Sequence, residues 1–131
     1  MTADALKPLR RPRLWLGLWC GAIALVVMFS LLPAPDLPGV PPGGDKLEHF
    51  LAYGLLAAGV VQLFATRAAL RRAGIGLVAL GIALEIAQGL LTETRMMDAW
   101  DALANTLGVL AGLATALTPW RDALLRMQRR V

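Results

Sequence analysis

Cysteine and histidine each occur once in the 131 residues. A lone cysteine excludes an intramolecular disulfide and a cysteine-based metal cluster. A lone histidine excludes a multi-histidine metal site within one chain. Charge is also scarce. Charged residues make up 17% of the chain and hydrophobic residues 57%, where a soluble domain has about a quarter and about half. With a mean hydropathy of +0.61, water is not the expected sole solvent. The length allows one domain and leaves no room for a separate lid or cofactor domain. No internal repeat, low-complexity tract or second domain is visible.

Long apolar runs are what the chain has instead. Leu14 to Leu32 is a stretch of 19 residues without a charge, enough to cross a hydrocarbon core of about 30 Å at 1.5 Å per residue. Further apolar stretches cover about 47–65, 73–91 and 102–118, the last stopping before Pro119. The expected fold is all-α: a bundle of four transmembrane helices at about 14–32, 47–65, 73–91 and 102–118, forming one domain over 1–131. The basic start resembles a signal peptide, but its apolar run is longer than the roughly 7–15 residues of a cleaved signal, so an uncleaved anchor is expected. Cys20 follows the bulky Trp19, which argues against a lipoprotein site and for an inert thiol.

The basic residues orient this arrangement. Lys7, Arg10, Arg11 and Arg13 precede the first run, Arg67, Arg71 and Arg72 lie between the second and third, and Arg121, Arg126, Arg129 and Arg130 follow the fourth. Eleven of the thirteen basic residues thus fall on one side, and only Lys46 and Arg95 on the other. Positive loops stay cytoplasmic, so both termini are expected in the cytoplasm. The net charge of +4 then reflects topology and contact with membrane lipids. Nucleic acid is not an expected partner. Of the acidic residues, only Asp4 and Asp122 fall on the basic side. Asp36, Asp45, Glu48, Glu85, Glu93, Asp98 and Asp101 map to the outer side.

Polar groups inside a membrane are costly and turn toward the bundle interior. Lys46, His49 and Tyr53 are spaced i, i+3, i+7 on one face of the second helix. Glu85 and Gln88 lie near the outer end of the third. Asp98, Asp101, Asn105, Gly108 and Gly112 form a continuous stripe on the fourth. All three clusters, with Arg95 beside them, fall at one outer depth. Some members have structural readings. Asp45-x-x-Glu48 has the spacing of a capping box. Gly17-x-x-x-Gly21 and Gly108-x-x-x-Gly112 suit close helix packing. Trp15, Trp19, Trp100 and Trp120 suit an aromatic belt at the membrane interfaces. Glu85 is the residue least explained by structure alone, because a buried carboxylate must be neutral or paired with a cation.

The series Asp45-Lys46-x-x-His49-Phe50-x-x-Tyr53, Glu85-x-x-Gln88, Arg95 and Asp101-x-x-x-Asn105-Thr106-x-Gly108 resembles the VanZ-like family of small bacterial membrane proteins, over about 44–112. The Pro-Gly that often precedes the family's arginine is lacking before Arg95. The family is named for a protein associated with resistance to the glycopeptide teicoplanin, and most members have no assigned activity. The resemblance implies an envelope-related role and marks Asp45, Lys46, His49, Glu85, Gln88, Arg95, Asp101 and Asn105 as motif positions. The expected function is an outward-facing intramembrane site for an anionic lipid head group or a lipid-linked envelope precursor. Lys46, His49 and Arg95 would contact the anion, Glu85 and Asp101 would orient these bases, and Gln88 and Asn105 would act as neutral donors. An enzyme at the same place is the alternative, with His49, Glu85 and Asp101 as candidate catalytic groups, and a non-catalytic scaffold subunit is a third reading. No cofactor is expected and no metal site is assigned, although mixed carboxylate, histidine and asparagine ligands leave a divalent cation open.

Overall fold

The computed structural model describes residues 5–33 and 44–129. The proline-rich outer loop expected at 33–46 lies largely outside the described residues, as do Asp4 and Arg130. Among the described residues the chain is all-helical: α1 (Pro12–Leu31), α2 (Gly44–Leu63), α3 (Arg67–Leu91), α4 (Ala99–Ala114), two 3-10 turns at Thr115–Leu117 and Pro119–Asp122, and α5 (Ala123–Arg129). Three segments are long and apolar enough to cross a membrane: Pro12–Leu31, Arg67–Leu91 and Ala99–Leu117. α2 is also 20 residues long, but Asp45, Lys46, Glu48 and His49 lower the hydropathy of its first turns.

Helix boundaries differ from the hydropathy reading in ways that capping explains. α3 begins six residues before the expected 73. Thr66 takes an extended conformation, and its hydroxyl accepts from Ala69 N at 3.2 Å, so Arg67, Arg71 and Arg72 lie on helix and not in a loop. Arginine is a good helix former, but hydropathy counts it only as polar. α4 starts at Ala99 because the Asp98 carboxylate accepts from Trp100 N at 2.8 Å. Its α-helical part ends at Ala114, and the 3-10 turn carries the apolar segment on to Leu117. Pro119 opens the second 3-10 turn, with Thr118 as its cap. It leads into α5, which carries Arg126 and Arg129 of the basic residues that follow the fourth apolar run. The expected capping box is not formed among the described residues. Asp45 Oδ1 accepts from Lys46 N at 2.9 Å, while Glu48 is exposed and makes no reciprocal bond among the described residues.

α2 is the central helix and packs against α1, α3, α4 and α5. Its buried residues Tyr53, Leu56, Ala57, Val60, Val61 and Leu63 form the middle of the core, joined by Leu77 from α3 and Val109 from α4. The α2–α4 crossing is close because glycine lines it. A Cβ on Gly108 would collide with the backbone of Phe50, and one on Gly112 with the backbone of Gly54. These two glycines pack as expected. Gly17 and Gly21 do not, for nothing lies within 4 Å of where their Cβ atoms would be. α1 instead uses Trp19, whose Nε1 donates to Leu56 O at 2.9 Å and whose ring meets Phe64 edge-on at 6.2 Å. Trp19 is thus a packing residue, whereas Trp100 and Trp120 are exposed.

At the basic end, the segment before α1 folds back onto the end of α2. Lys7 N donates to Leu63 O and Ala65 N to Ala5 O, each at 2.8 Å. Lys7 is only 5% exposed. Its ammonium donates to Val61 O at 2.7 Å and to Arg121 O at 2.5 Å, and pairs with Asp122 Oδ1 at 2.8 Å. A lysine that the charge pattern places in a cytoplasmic tail is a buried tie between three parts of the chain.

Candidate functional site

At the opposite end of the bundle, the first turns of α2, the last turns of α3 and the start of α4 converge. Each helix brings a pair of residues one turn apart: His49 and Tyr53 on α2, Gly81 and Glu85 on α3, Asp101 and Asn105 on α4. Side chains four apart on a helix lie over one another on the same face. The result is two stacked polar layers between three helices.

The outer layer holds the charges. Lys46 Nζ donates to Asp98 Oδ2 at 3.0 Å and to Asp101 Oδ1 at 3.1 Å, with Asp45 Oδ2 at 3.6 Å. The Lys46 ammonium holds the Asp98 carboxyl below the ordinary aspartate range, helped by the bond from Trp100 N. Glu85 is 3% exposed. Its Oε2 accepts from Asp98 N at 3.3 Å and its Oε1 lies 3.5 Å from His49 Nε2. His49 Nδ1 lies 2.8 Å from Asp45 O. A carbonyl oxygen only accepts, so Nδ1 carries the hydrogen, and in the neutral ring Nε2 presents its lone pair to Glu85. Donor atoms of His49, Glu85 and Asp101 all lie within 4.8 Å of one another.

The inner layer holds neutral polar groups. Tyr53 and Asn105 are each 2% exposed. Among the described residues, neither the Tyr53 hydroxyl nor Asn105 Oδ1 has a hydrogen-bond partner. A Cβ on Gly81 would lie 3.2 Å from Asn105 Nδ2 and 3.3 Å from Tyr53 Cε1, so glycine at 81 is what lets both side chains reach the centre.

Of the expected site residues, the structure brings Lys46, His49, Glu85, Asp101 and Asn105 together. Gln88 and Arg95 turn to α1. Gln88 Nε2 donates to Ser30 O at 2.9 Å. Arg95 donates from Nε to Leu32 O at 3.0 Å and from Nη2 to Phe29 O at 3.4 Å. These are carbonyls at the C-terminal end of α1, where a cation is favoured by the helix dipole. The loop that carries Arg95 is set by Thr92, whose hydroxyl donates to Gln88 O and accepts from Arg95 N. Asp98 was not counted among the candidate ligand-binding residues, yet it is the joint between Lys46 and Glu85. Its place at the head of the α4 stripe was the available signal. Nothing in the sequence pattern singled out Lys7.

Between α1 and α2 a cavity of about 240 Å³ opens beside this cluster. Arg95, His49, Asp45, Glu48 and Ser30 line its polar side, and Leu25, Val26, Phe29 and Ala52 its apolar side. Among the described residues the fold is all-helical, with three segments long and apolar enough to cross a membrane and a buried polar cluster where α2, α3 and α4 converge. Comparison of the chain with protein-family models, with curated proteins and with solved structures gives no match.

Proposed function

We propose that the chain is a four-span protein of the VanZ-like type in the bacterial cytoplasmic membrane, with both termini in the cytoplasm and an envelope-related role. In this reading the cavity between α1 and α2 receives the head group of an anionic lipid or of a lipid-linked envelope precursor. One observation carries it: the cavity is amphipathic and opens between two helices, with Arg95 and His49 on one wall and Leu25, Val26 and Phe29 on the other. Arg95 uses Nε and Nη2 on carbonyls of α1 and keeps further N–H donors for a phosphate. Asp45 and Glu48 on the same wall suit an amine carried by the same head group. At about 240 Å³ the cavity is below the roughly 300–1,000 Å³ of drug-sized sites, so it fits a head group while the acyl chains lie along α1. The position of most basic residues near the Lys7–Asp122 end, away from this cavity, supports an outward opening.

The test is lipid retention. Wild-type protein purified in mild detergent is expected to carry one predominant class of anionic lipid or precursor, identified by mass spectrometry. Ala52→Phe, which fills the cavity, and Arg95→Gln are expected to lose it. The same lipid profile in all three proteins would refute the reading. A membrane enzyme acting on a lipid-linked ester or phosphoester is the second reading. It is favoured by the bond from His49 Nδ1 to Asp45 O, which turns Nε2 toward Glu85. Turnover of such a substrate unchanged in His49→Gln would remove it. If Glu85→Ala lowers stability without changing the cellular phenotype, the polar cluster is structural and the protein a scaffold.

A further inference from the structure

We infer that His49, Glu85 and Asp101 form a binding site for one divalent transition-metal ion, buried between α2, α3 and α4. Three observations carry this inference.

The first is the donor set. One imidazole nitrogen and two carboxylate oxygens lie within 4.8 Å of one another. Donors at about 2.1 Å around a tetrahedral ion are about 3.4 Å apart. His49 Nε2 and Glu85 Oε1 are already 3.5 Å apart, and from a limit of 4.8 Å the widest separation needs to close by at most about 1.4 Å. A nitrogen among oxygens selects Zn²⁺- or Mn²⁺-like ions over Mg²⁺ and Ca²⁺.

The second is that each ligand is oriented from behind. His49 Nδ1 donates to the Asp45 carbonyl, Asp98 N holds Glu85 Oε2, and Lys46 holds Asp101 Oδ1. Metal-binding histidines usually donate their second ring N–H to a carbonyl or carboxylate, and ligating carboxylates are themselves hydrogen-bonded. The charges agree. Among the described residues the carboxylates of Asp45, Asp98 and Asp101 are paired with Lys46 and Glu85 accepts from Asp98 N, so carboxylates outnumber the lysine, and a divalent cation would reduce that imbalance.

The third is independent of the charges. Among the described residues the Tyr53 hydroxyl and Asn105 Oδ1 are buried without partners, one turn below His49 and Asp101. An unpartnered buried oxygen costs free energy. A bound ion, with its remaining coordination positions directed toward this layer, gives both oxygens a partner directly or through a coordinated water.

The experiment uses tag-free, full-length protein in detergent micelles, stripped with a chelator. Zn²⁺, Mn²⁺ and Mg²⁺ are titrated separately by calorimetry, and the thermal midpoint is followed with each ion. Wild type is expected to take up one equivalent of Zn²⁺ or Mn²⁺ per chain and to rise in thermal midpoint, with Mg²⁺ having little effect. His49→Gln, Glu85→Gln and Asp101→Asn keep side-chain volume and are each expected to lose at least tenfold in affinity. Gln62→Ala, which removes bonds to Trp120 O and Leu124 N at the opposite end of the molecule, is expected to bind as wild type does. No stoichiometric uptake by wild type overturns the proposal, whatever the variants do. Equal uptake by wild type and the three ligand variants overturns it as well, leaving an adventitious ion only. A response to Mg²⁺ equal to that for Zn²⁺ overturns the assignment to a nitrogen-preferring ion. Ion uptake and lipid retention are separate measurements, so failure of this site leaves the head-group reading standing, and the converse holds.

Discussion

Gly108→Ala is the most direct probe of how the polar cluster is held together. A Cβ at position 108 would fall far inside van der Waals distance of Phe50 O and about 3.1 Å from Phe50 C and Gly54 N. All three are backbone atoms of α2, so no rotamer change relieves the clash, and α4 must move outward by roughly 1 Å. A gap of 0.5–1 Å forfeits a quarter to a half of a contact worth about 0.1–0.2 kcal/mol. Over about 30 heavy-atom contacts, somewhat fewer than a buried leucine makes, the loss is about 1–2 kcal/mol, within the usual range for overpacking. Alanine's better helix propensity offsets up to about 1 kcal/mol. Gly76→Ala isolates that gain, because nothing lies within 4 Å of its Cβ position. The expected result is that Gly108→Ala is about 1–2 kcal/mol less stable than Gly76→Ala in reversible unfolding in mixed micelles followed by circular dichroism. Gly112→Ala, whose Cβ would meet Gly54 O and Ala58 N, should behave like Gly108→Ala. If Gly108→Ala and Gly112→Ala are both as stable as Gly76→Ala, the α2–α4 crossing is not the close contact described, and the convergence of His49, Glu85 and Asp101 loses its basis.

Lys7→Met removes the donor to Val61 O and Arg121 O and the partner of Asp122; losing charge-assisted bonds of this kind costs about 1.5–3 kcal/mol, measurable in the same unfolding assay, while Lys7→Arg should recover part of it. Trp19→Phe keeps the ring contact with Phe64 and loses the bond to Leu56 O; a loss of about 1 kcal/mol is expected, and an unchanged midpoint would show that α1 is held by apolar packing alone. Acid should weaken both ends of the molecule. Lys46 lowers the Asp98 pKa and Lys7 that of Asp122, so both aspartates bind fewer protons folded than unfolded at moderately acid pH. Their contribution is complete above the unfolded value of about 3.9 and is lost as pH falls through the lower folded values. The thermal midpoint should therefore change little on their account from pH 7 to 5 and fall below about pH 4, less steeply in Asp98→Asn; an Asp98→Asn profile that superimposes on wild type refutes the pairing with Lys46.

How much of this was legible in the chain depends on the kind of interaction. The apolar runs located four helical stretches, because a long uncharged run has few other uses. The stripe from Asp98 to Gly112 was visible as a face because helical spacing alone defines a face. Helix ends were less legible. Arg67, Arg71 and Arg72 are polar by hydropathy yet helical in α3, since Thr66 caps the helix and arginine favours it.

What the sequence by itself determined is the solvent, the helical class, and which residues share a face: Lys46 with His49 and Tyr53, Glu85 with Gln88, Asp101 with Asn105. What only the tertiary structure decided is who meets whom. Lys46 goes to Asp98 and Asp101, Arg95 and Gln88 to carbonyls of α1, and Lys7 to carbonyls at Val61 and Arg121. The physical reason is that most of these partners are backbone oxygens, which every residue carries and no residue type announces. A basic side chain in the sequence specifies a charge. Where that charge goes depends on which carbonyls and carboxylates the packed helices leave within its reach.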